Sequence, residues 1–318
     1  MPISHRDIEG DNPNSGVRVS VGELVRLRDQ LPCSSLKGGR RSPRSPLSGV
    51  TLSPFRGRGM EFEEVRPYQP GDDIRHMDWR VTARTGHPHT KLFREERESP
   101  LIILVDLNPS MAFGTRVAFK SVVAARVAAL LAWNGARHGD RIGSLLLAAG
   151  REWMTRPAGG KRGVLPLLAH LDRCMPVPSP GAAVVPMAPA LDHLEHLLHP
   201  GSRLFLVSDC LGLDGGGWSR LGALSRHQEV ALVHIFDPLE AALPAEGELT
   251  FTDGDSRLSA AMHRSPWCRR FSDLFQERRR QLLGLCRRYR VSYTGIATDQ
   301  PLVAALGPFL VSSSRRGA

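Results

Sequence analysis

The feature that most constrains the fold is the apolar run at residues 101–105 (Leu-Ile-Ile-Leu-Val), which ends at Asp106. A continuous apolar run of this length is typical of a parallel strand buried on both faces. Later segments repeat the alternation of short apolar runs with stretches of helical periodicity. Strands separated by helices in this way indicate βαβ units. The sequence therefore predicts an α/β fold with an open, mostly parallel, doubly wound sheet and a small charged N-terminal extension.

The apolar and amphipathic segments give approximate bounds for the predicted elements. Predicted strands cover residues 101–106, 141–148, 203–209, 229–236 and 291–295, with an edge strand near Trp153. Predicted helices cover residues 116–138, 161–174, 187–199, 217–226, 269–289 and 301–306, and residues 237–259 form a predicted hairpin.

Local composition and the distribution of apolar runs divide the chain into three parts. Residues 1–50 form a flexible N-terminal segment, with a short helix predicted at 21–31 and a Ser/Gly/Pro/Arg linker at 32–50. Residues 51–98 are rich in charge and poor in apolar runs, with one strand predicted around Lys91, and we expect them to pack on the main domain. Residues 99–318 form the α/β domain.

Composition excludes several classes of protein. The five scattered cysteines include no C-x-x-C pair, which argues against a zinc site or a disulfide framework. The net charge of +10 is spread along the chain, so we rank nucleic-acid binding last among the functions considered. No apolar stretch is long enough for a transmembrane helix or a signal peptide, and we therefore expect a cytoplasmic protein.

Two predicted strands end in an acid at the edge of the sheet where ligands bind in open α/β folds. We call Asp106, Asn108, Ser110 and Asp209 the acidic crest. Carboxylate, amide and hydroxyl oxygens suit Mg²⁺ or another divalent cation. In the alternative interpretation, Asp106 and Asp209 cap the following helices through backbone N–H groups. The pattern alone does not decide between these two.

Two stretches resemble known families. Residues 105–113, with the later Ser208 and Asp209, resemble the metal ion-dependent adhesion site of von Willebrand factor A domains. Residues 57–84 (GRGMEFEEVRPYQPGDDIRHMDWRVTAR) resemble the signature of the domain-of-unknown-function 58 family. The resemblance implies a von Willebrand A-like fold and a chaperone-like role with a MoxR-type AAA+ ATPase and client proteins.

The chain departs from the adhesion-site pattern in two places, and the first is Asn108, which stands where Ser is usual. The adhesion site also uses a Thr from a loop that should fall at residues 179–186, and this stretch contains no Thr. The missing oxygen predicts weak cation affinity.

The residues of the upstream signature have two interpretations. They form a helix start, with Asp72 as its cap and Trp79 as an anchor on the main domain. Alternatively they present an ion-pair network and an aromatic side chain to a partner. The candidate partner-binding residues are Arg66, Tyr68, Asp72, Asp73, Arg75, Asp78, Trp79 and Arg84.

Three functions remain. The first is a non-catalytic interaction module that docks a AAA+ ATPase or its client through the acidic crest. The second is a metal-dependent phosphoesterase, for which the sequence shows no clear general base. The third is an arginine-rich nucleic-acid binder. No phosphate-binding loop, nucleophile elbow or H-E-x-x-H motif is present, so we expect no catalysis by these routes.

Overall fold

A computed structural model describes residues 16–31, 60–69, 74, 77–95, 100–179, 181–199, 201–244, 247–252, 257–261 and 266–310. The chain divides into two compact units. The smaller is made mainly of residues 42–98, and the larger mainly of residues 1–41 and 99–316.

The smaller unit contains two antiparallel strands and a helix. Strand β1 (Met60–Pro67) pairs with β2 (His89–Glu95), and α2 (Trp79–Thr85) lies between them in the chain. The strand predicted around Lys91 is confirmed, whereas β1 was not predicted. A register shift between Phe62 and Glu64 interrupts the strand. Such an irregularity breaks the two-residue alternation by which a strand is recognised.

The larger unit is built on a six-stranded sheet in the order β10-β7-β6-β3-β4-β5. All neighbours are parallel except β4 and β5, which are antiparallel. The strands are β3 (Pro100–Asp106), β4 (Arg141–Ala148), β5 (Arg151–Gly159), β6 (Arg203–Ser208), β7 (Glu229–Phe236) and β10 (Ser292–Ala297). The predicted mixed α/β fold with a mostly parallel central sheet is confirmed.

Helices flank this sheet. They are α1 (Val21–Arg26), α3 (Lys120–Arg137), α4 (Lys161–Arg173), α5 (Met187–Glu195), α6 (Gly215–Leu224), α7 (Pro238–Ala241), α8 (Pro266–Arg288), α9 (Leu302–Ala305) and α10 (Gly307–Leu310). One apolar core packs α1, α3 and α4 against the sheet, and a second packs α5, α6 and α8. A separate hairpin joins β8 (Glu248–Thr252) to β9 (Arg257–Ala261). None of the described helices has the length and apolar character needed to cross a membrane.

Helix α1 belongs to the larger unit, which differs from the predicted flexible segment at 1–50. A short 3₁₀ turn, Leu27–Gln30, continues it, and Leu24, Leu27 and Leu31 are all buried. The indole Nε1 of Trp133 donates to the carbonyl of Leu24 over 3.1 Å. The helical spacing of the leucines predicted the helix but not its docking. The predicted linker at 32–50 lies outside the described residues.

Helix α3 begins at Lys120, four residues later than predicted. The preceding residues make other contacts: the backbone N–H of Thr115 donates to Asp237, and that of Phe119 donates to the carbonyl of Gly16. The apolar pattern runs through this stretch, but long-range hydrogen bonds hold it out of the helix.

Candidate functional site

The acidic crest lies where the direction of strand order changes. From β3 the chain passes to β4 on one side, and β6 then pairs with β3 on the other side. Open α/β sheets bind ligands at such a switch point, outside the carboxyl ends of the strands. Asp106 ends β3, and Asp209 directly follows β6.

Asp106 is buried and its carboxylate is hydrogen-bonded on both oxygens. The hydroxyl of Ser208 donates to Oδ2 over 2.7 Å, and the backbone N–H of Asn108 donates to Oδ1 over 3.0 Å. Burial raises the pKa of Asp106, and the nearby charge of Asp209 raises it further. The hydrogen bonds act in the opposite direction. Asp106 therefore holds its own loop and the end of β6 together.

Asn108 does not offer its amide oxygen to a cation. That oxygen accepts the backbone N–H of Val185 over 2.8 Å, and the amide nitrogen donates to the Val185 carbonyl over 3.1 Å. Val185 lies in the loop where an adhesion-site Thr was sought. The side chain clamps this loop to the end of β3, a role that the sequence analysis did not predict. Ser110 is half-buried on the 3₁₀ turn Pro109–Met111.

Asp209 is paired with a buried lysine that the sequence analysis missed. The ammonium of Lys120 lies 2.9 Å from Asp209 Oδ2 and 2.8 Å from Glu240 Oε1. Lys120 is 1% exposed. Burial acts to lower its pKa, but the charges of Asp209 and Glu240 outweigh this effect and raise it. The ammonium therefore stays charged. The only signal in the sequence is a lone lysine at the start of a helix of Ala, Val and Leu.

The acidic crest therefore does not fit the four-ligand cation site predicted from the sequence. Asn108 is bound to the backbone of Val185, and Asp209 faces an ammonium. Among the described residues, no group of three or more His, Cys, Asp or Glu side chains is arranged to hold a metal.

A third buried carboxylate joins three loops at the same edge of the sheet. Asp237 accepts hydrogen bonds from the hydroxyl and backbone N–H of Thr115, from the hydroxyl of Thr298, and from the backbone N–H of Leu239. Burial acts to raise the pKa of Asp237, but these hydrogen bonds outweigh it and lower the pKa. Asp237 also caps α7, with Glu240 completing a capping box.

His234 is a buried neutral histidine on β7. Its Nδ1 lies 3.0 Å from the hydroxyl of Tyr293 on the neighbouring strand β10. Burial lowers the pKa of His234 to about 4, although the charge of Asp209 acts in the opposite direction. The side chain is 4% exposed and remains neutral at physiological pH.

An open groove runs beside Asp209, along α8. We call it the α8 groove, and its lining includes Leu211, Phe271, Leu274, Phe275, Arg278 and Arg279. The cavity measures about 280 Å³. Leu274 and Leu211 are 62% and 51% exposed. The guanidinium of Arg278 donates to the carbonyl of Cys210 over 3.3 Å, and Nε of Arg279 is buried without an acceptor among the described residues.

The upstream candidates lie in the smaller unit. Asp78 caps α2 by accepting the backbone N–H groups of Arg80 and Val81, each over 3.1 Å. Trp79, the first residue of α2, is 66% exposed. Arg66 lies on β1, Tyr68 directly follows β1, and Arg84 is in the last turn of α2. Asp72, Asp73 and Arg75 lie outside the described residues.

Comparison with curated proteins finds relatives in two mycobacterial species. The "Uncharacterized protein Rv1480" of Mycobacterium tuberculosis strain H37Rv is 32% identical over 275 residues, which cover 86% of this chain and 85% of that protein. The "Uncharacterized protein Mb1516" of Mycobacterium bovis matches with the same identity and coverage.

Among solved structures, the chain is similar to BatB from Bacteroides thetaiotaomicron, at 14% identity and a TM-score of 0.41 over 66% of this chain and 95% of that one. A second is an aerotolerance-related membrane protein from Bacteroides fragilis, at 13% identity and a TM-score of 0.42 over 67% and 98%. A third is a membrane-spanning protein from Vibrio fischeri, at 14% identity and a TM-score of 0.22 over 66% and 95%.

Two of these neighbours are described as membrane proteins, which contradicts the predicted cytoplasmic location. We withdraw that prediction. The prediction depended on the lack of an apolar span. That feature does not decide location, because a chain can also be held at a membrane through its surface.

Comparison with protein families matches residues 64–281 to the family described as "Protein of unknown function DUF58". The match covers most of the chain and includes residues 64–84 of the upstream signature together with the acidic crest. This chain belongs to the DUF58 family.

Proposed function

We propose that the chain is a non-catalytic protein-interaction module with a von Willebrand A-like main domain. We further propose that it works with a MoxR-type AAA+ ATPase in the chaperone-like assembly or activation of other proteins. The strand order, with one antiparallel edge strand beside β4, supports the domain assignment. The partner class follows from the family resemblance of residues 57–84.

The α8 groove is the observation that carries this proposal. Its apolar side chains Leu211 and Leu274 are more than half exposed, beside two arginines. Clustered exposed apolar residues with arginine are typical of protein-binding surfaces. Helix α8 also carries Arg269, Arg270, Arg278, Arg279, Arg280, Arg287 and Arg288 against Asp273 and Glu277. The groove therefore suits a partner segment with an apolar side chain flanked by carboxylates.

The buried groups in and beside the acidic crest support a non-catalytic role. Asp106, Ser208 and Asp209 are 1%, 0% and 4% exposed, so a substrate has little access to them. Burial raises the pKa of Cys210 well above its ordinary value, and Asp209 raises it further, so this thiol is not an activated nucleophile. These features give less support to the phosphoesterase alternative.

Binding to the purified MoxR-type ATPase of the same organism, with and without ATP, tests the proposal. We expect Leu274→Ser and Arg278→Glu each to weaken binding about tenfold, because each removes a central contact of the groove. Leu165→Ser and Arg287→Glu are matched controls, since both side chains are exposed on helices and neither lines the groove. We expect wild-type affinity for the controls.

If the wild-type chain does not bind the ATPase at micromolar concentrations, the proposal that this ATPase is the partner is wrong. Equal affinity of all four variants would contradict the groove as the contact surface and leave the partner in place. A further pair, Trp79→Ser and Arg84→Glu, tests the upstream candidates in the same assay. If only these two variants lose binding, the ATPase contacts the smaller unit and not the α8 groove.

A further inference from the structure

Lys120 contacts Asp209, one of the four oxygen ligands that the sequence predicted for a cation. Its ammonium contacts the carboxylates of Asp209 and Glu240 at 2.9 and 2.8 Å. Those carboxylates come from the loop after β6 and from α7, which follows β7. A divalent cation in the acidic crest would have to share Asp209 with this ammonium.

Lys120 and Asp209 are buried and Glu240 is partly buried, so each charge needs its partner. The side chains of Lys120, Asp209 and Glu240 are 1%, 3% and 29% exposed. Breaking a buried ion pair by removing one partner is strongly destabilising, because the other charge is left uncompensated. Displacement of the ammonium by a metal ion would strand a positive charge in the same enclosed space.

Other polar groups at this edge of the sheet are also engaged. Ser208 donates its hydroxyl to Asp106 and accepts the backbone N–H of Cys210 over 2.9 Å. The second oxygen of Asp209 accepts the backbone N–H of Leu211 over 3.0 Å. The ring of Phe113 lies 5.8 Å from the Lys120 ammonium and covers it with an aromatic face.

We infer that Lys120 is the resident cation of the acidic crest, and that its ammonium replaces the divalent ion which these oxygen ligands would otherwise bind. The acidic crest of this chain is closed to divalent cations while Lys120 is present. Removing the ammonium leaves Asp209 and Glu240 without this counter-charge. Their carboxylates are hard oxygen ligands of the kind that Mg²⁺ and Mn²⁺ prefer, and Mg²⁺ is often bound through one or two carboxylates with water as the remaining ligands. This inference does not depend on the proposed function.

The test is a titration of Mn²⁺ into the full chain, with bound Mn²⁺ read by electron paramagnetic resonance and stability read by thermal unfolding. We expect wild type to bind no Mn²⁺ up to about 1 mM, the weak end of the range for oxygen-ligand sites in proteins. We expect Lys120→Ala to bind Mn²⁺ and to be stabilised by it. Lys161→Ala is the matched control, because Lys161 is also the first residue of a helix but is exposed.

Wild-type binding of Mn²⁺ that is lost in Asp209→Asn would overturn the inference. So would a folded Lys120→Ala that takes up no more Mn²⁺ than Lys161→Ala. If Lys120→Ala unfolds without metal, its refolding on addition of Mn²⁺ supports the inference. If Lys120→Ala stays unfolded even with Mn²⁺, the titrations of wild type and of Lys120→Gln decide whether the inference holds. This variant fills the same space without charge, and its failure to gain Mn²⁺ would also overturn the inference.

Discussion

Asp237 and Lys120 show how single side chains organise the carboxyl edge of the sheet. Asp237 links Thr115, which follows β3, to Thr298, which follows β10. Lys120 links the loop after β6 to α7. Each replaces interactions with water by charge-assisted hydrogen bonds, which are about twice as strong as neutral ones. Loops from four strands are therefore held at one edge by two buried charged residues.

His234 should make the free energy of unfolding depend on pH. Its pKa is lowered to about 4 in the folded chain, against an ordinary value of 6.5. Between these values the unfolded chain binds a proton that the folded chain does not, so the free energy of unfolding falls as pH is lowered through this range. The full effect is about 3 kcal/mol at 1.36 kcal/mol per pKa unit.

Urea unfolding at about pH 7 and about pH 5 measures this effect. We expect His234→Phe to lose less stability than wild type over the same pH interval. His227→Phe serves as the control, because His227 is exposed and the wild-type pH dependence should persist. An unchanged slope in His234→Phe would assign the acid sensitivity to other groups.

At the scale of elements, α4 and α8 contain glycines in contrasting surroundings. Helix α4 follows β5 directly and packs closely against the sheet. A Cβ at Gly163 would lie 2.1 Å from the carbonyl oxygen of Ala158 and 2.8 Å from that of Ile142. A Cβ at Gly284 in α8 would meet no atom within 4 Å. The first glycine is required by close approach of the backbone, and the second is not.

Alanine at these two positions should act in opposite directions. We expect Gly163→Ala to lower the free energy of unfolding by about 1–3 kcal/mol, because backbone atoms must separate to admit the methyl group. We expect Gly284→Ala to raise it by about 0.5–1 kcal/mol, because alanine loses less conformational entropy in a helix. Chemical denaturation of both variants gives the comparison. Stabilisation by Gly163→Ala would contradict the close packing of α4.

At the scale of the whole molecule, the larger unit incorporates a distant N-terminal segment. Leu24 is fully buried, and Glu23 pairs with Arg126 over 2.7 Å. The hydrogen bond between Glu23 and Arg126 joins residues 103 positions apart in the chain. The hydrogen bond from Trp133 to the carbonyl of Leu24 joins residues 109 positions apart. The apolar core therefore includes a helix that composition alone assigns to a flexible extension.

Leu24→Ala tests whether α1 contributes to the stability of the main domain. We expect a loss of about 3 kcal/mol in the free energy of unfolding, as for other leucines in a core. Leu274→Ala, at a position 62% exposed, should change it by less than about 0.5 kcal/mol. Equal effects of the two substitutions in urea unfolding would show that α1 is detached from the core.

The sequence by itself determined most strands and helices of the larger unit, although not α7, and it determined the family. Strands β4 and β7 were predicted with the observed bounds, because buried runs and helical periodicity are local properties of the chain. The upstream signature identified the family, which the match to residues 64–281 confirms. The same local patterns placed Asp106 and Asp209 at the carboxyl edge, since each directly ends a predicted strand.

Only the tertiary structure decided what those acids contact. Lys120 meets Asp209 across 89 positions and Glu240 across 120 positions of the chain. Asn108 meets Val185 across 77 positions, and this contact uses the amide oxygen that the sequence analysis assigned to a cation. The physical reason is that side-chain periodicity is a local property, which predicts each strand or helix separately. The order of the strands in the sheet decides which distant loops come into contact, and no local pattern contains that order. The acidic crest could be located from the sequence, but the lysine that neutralises it could not.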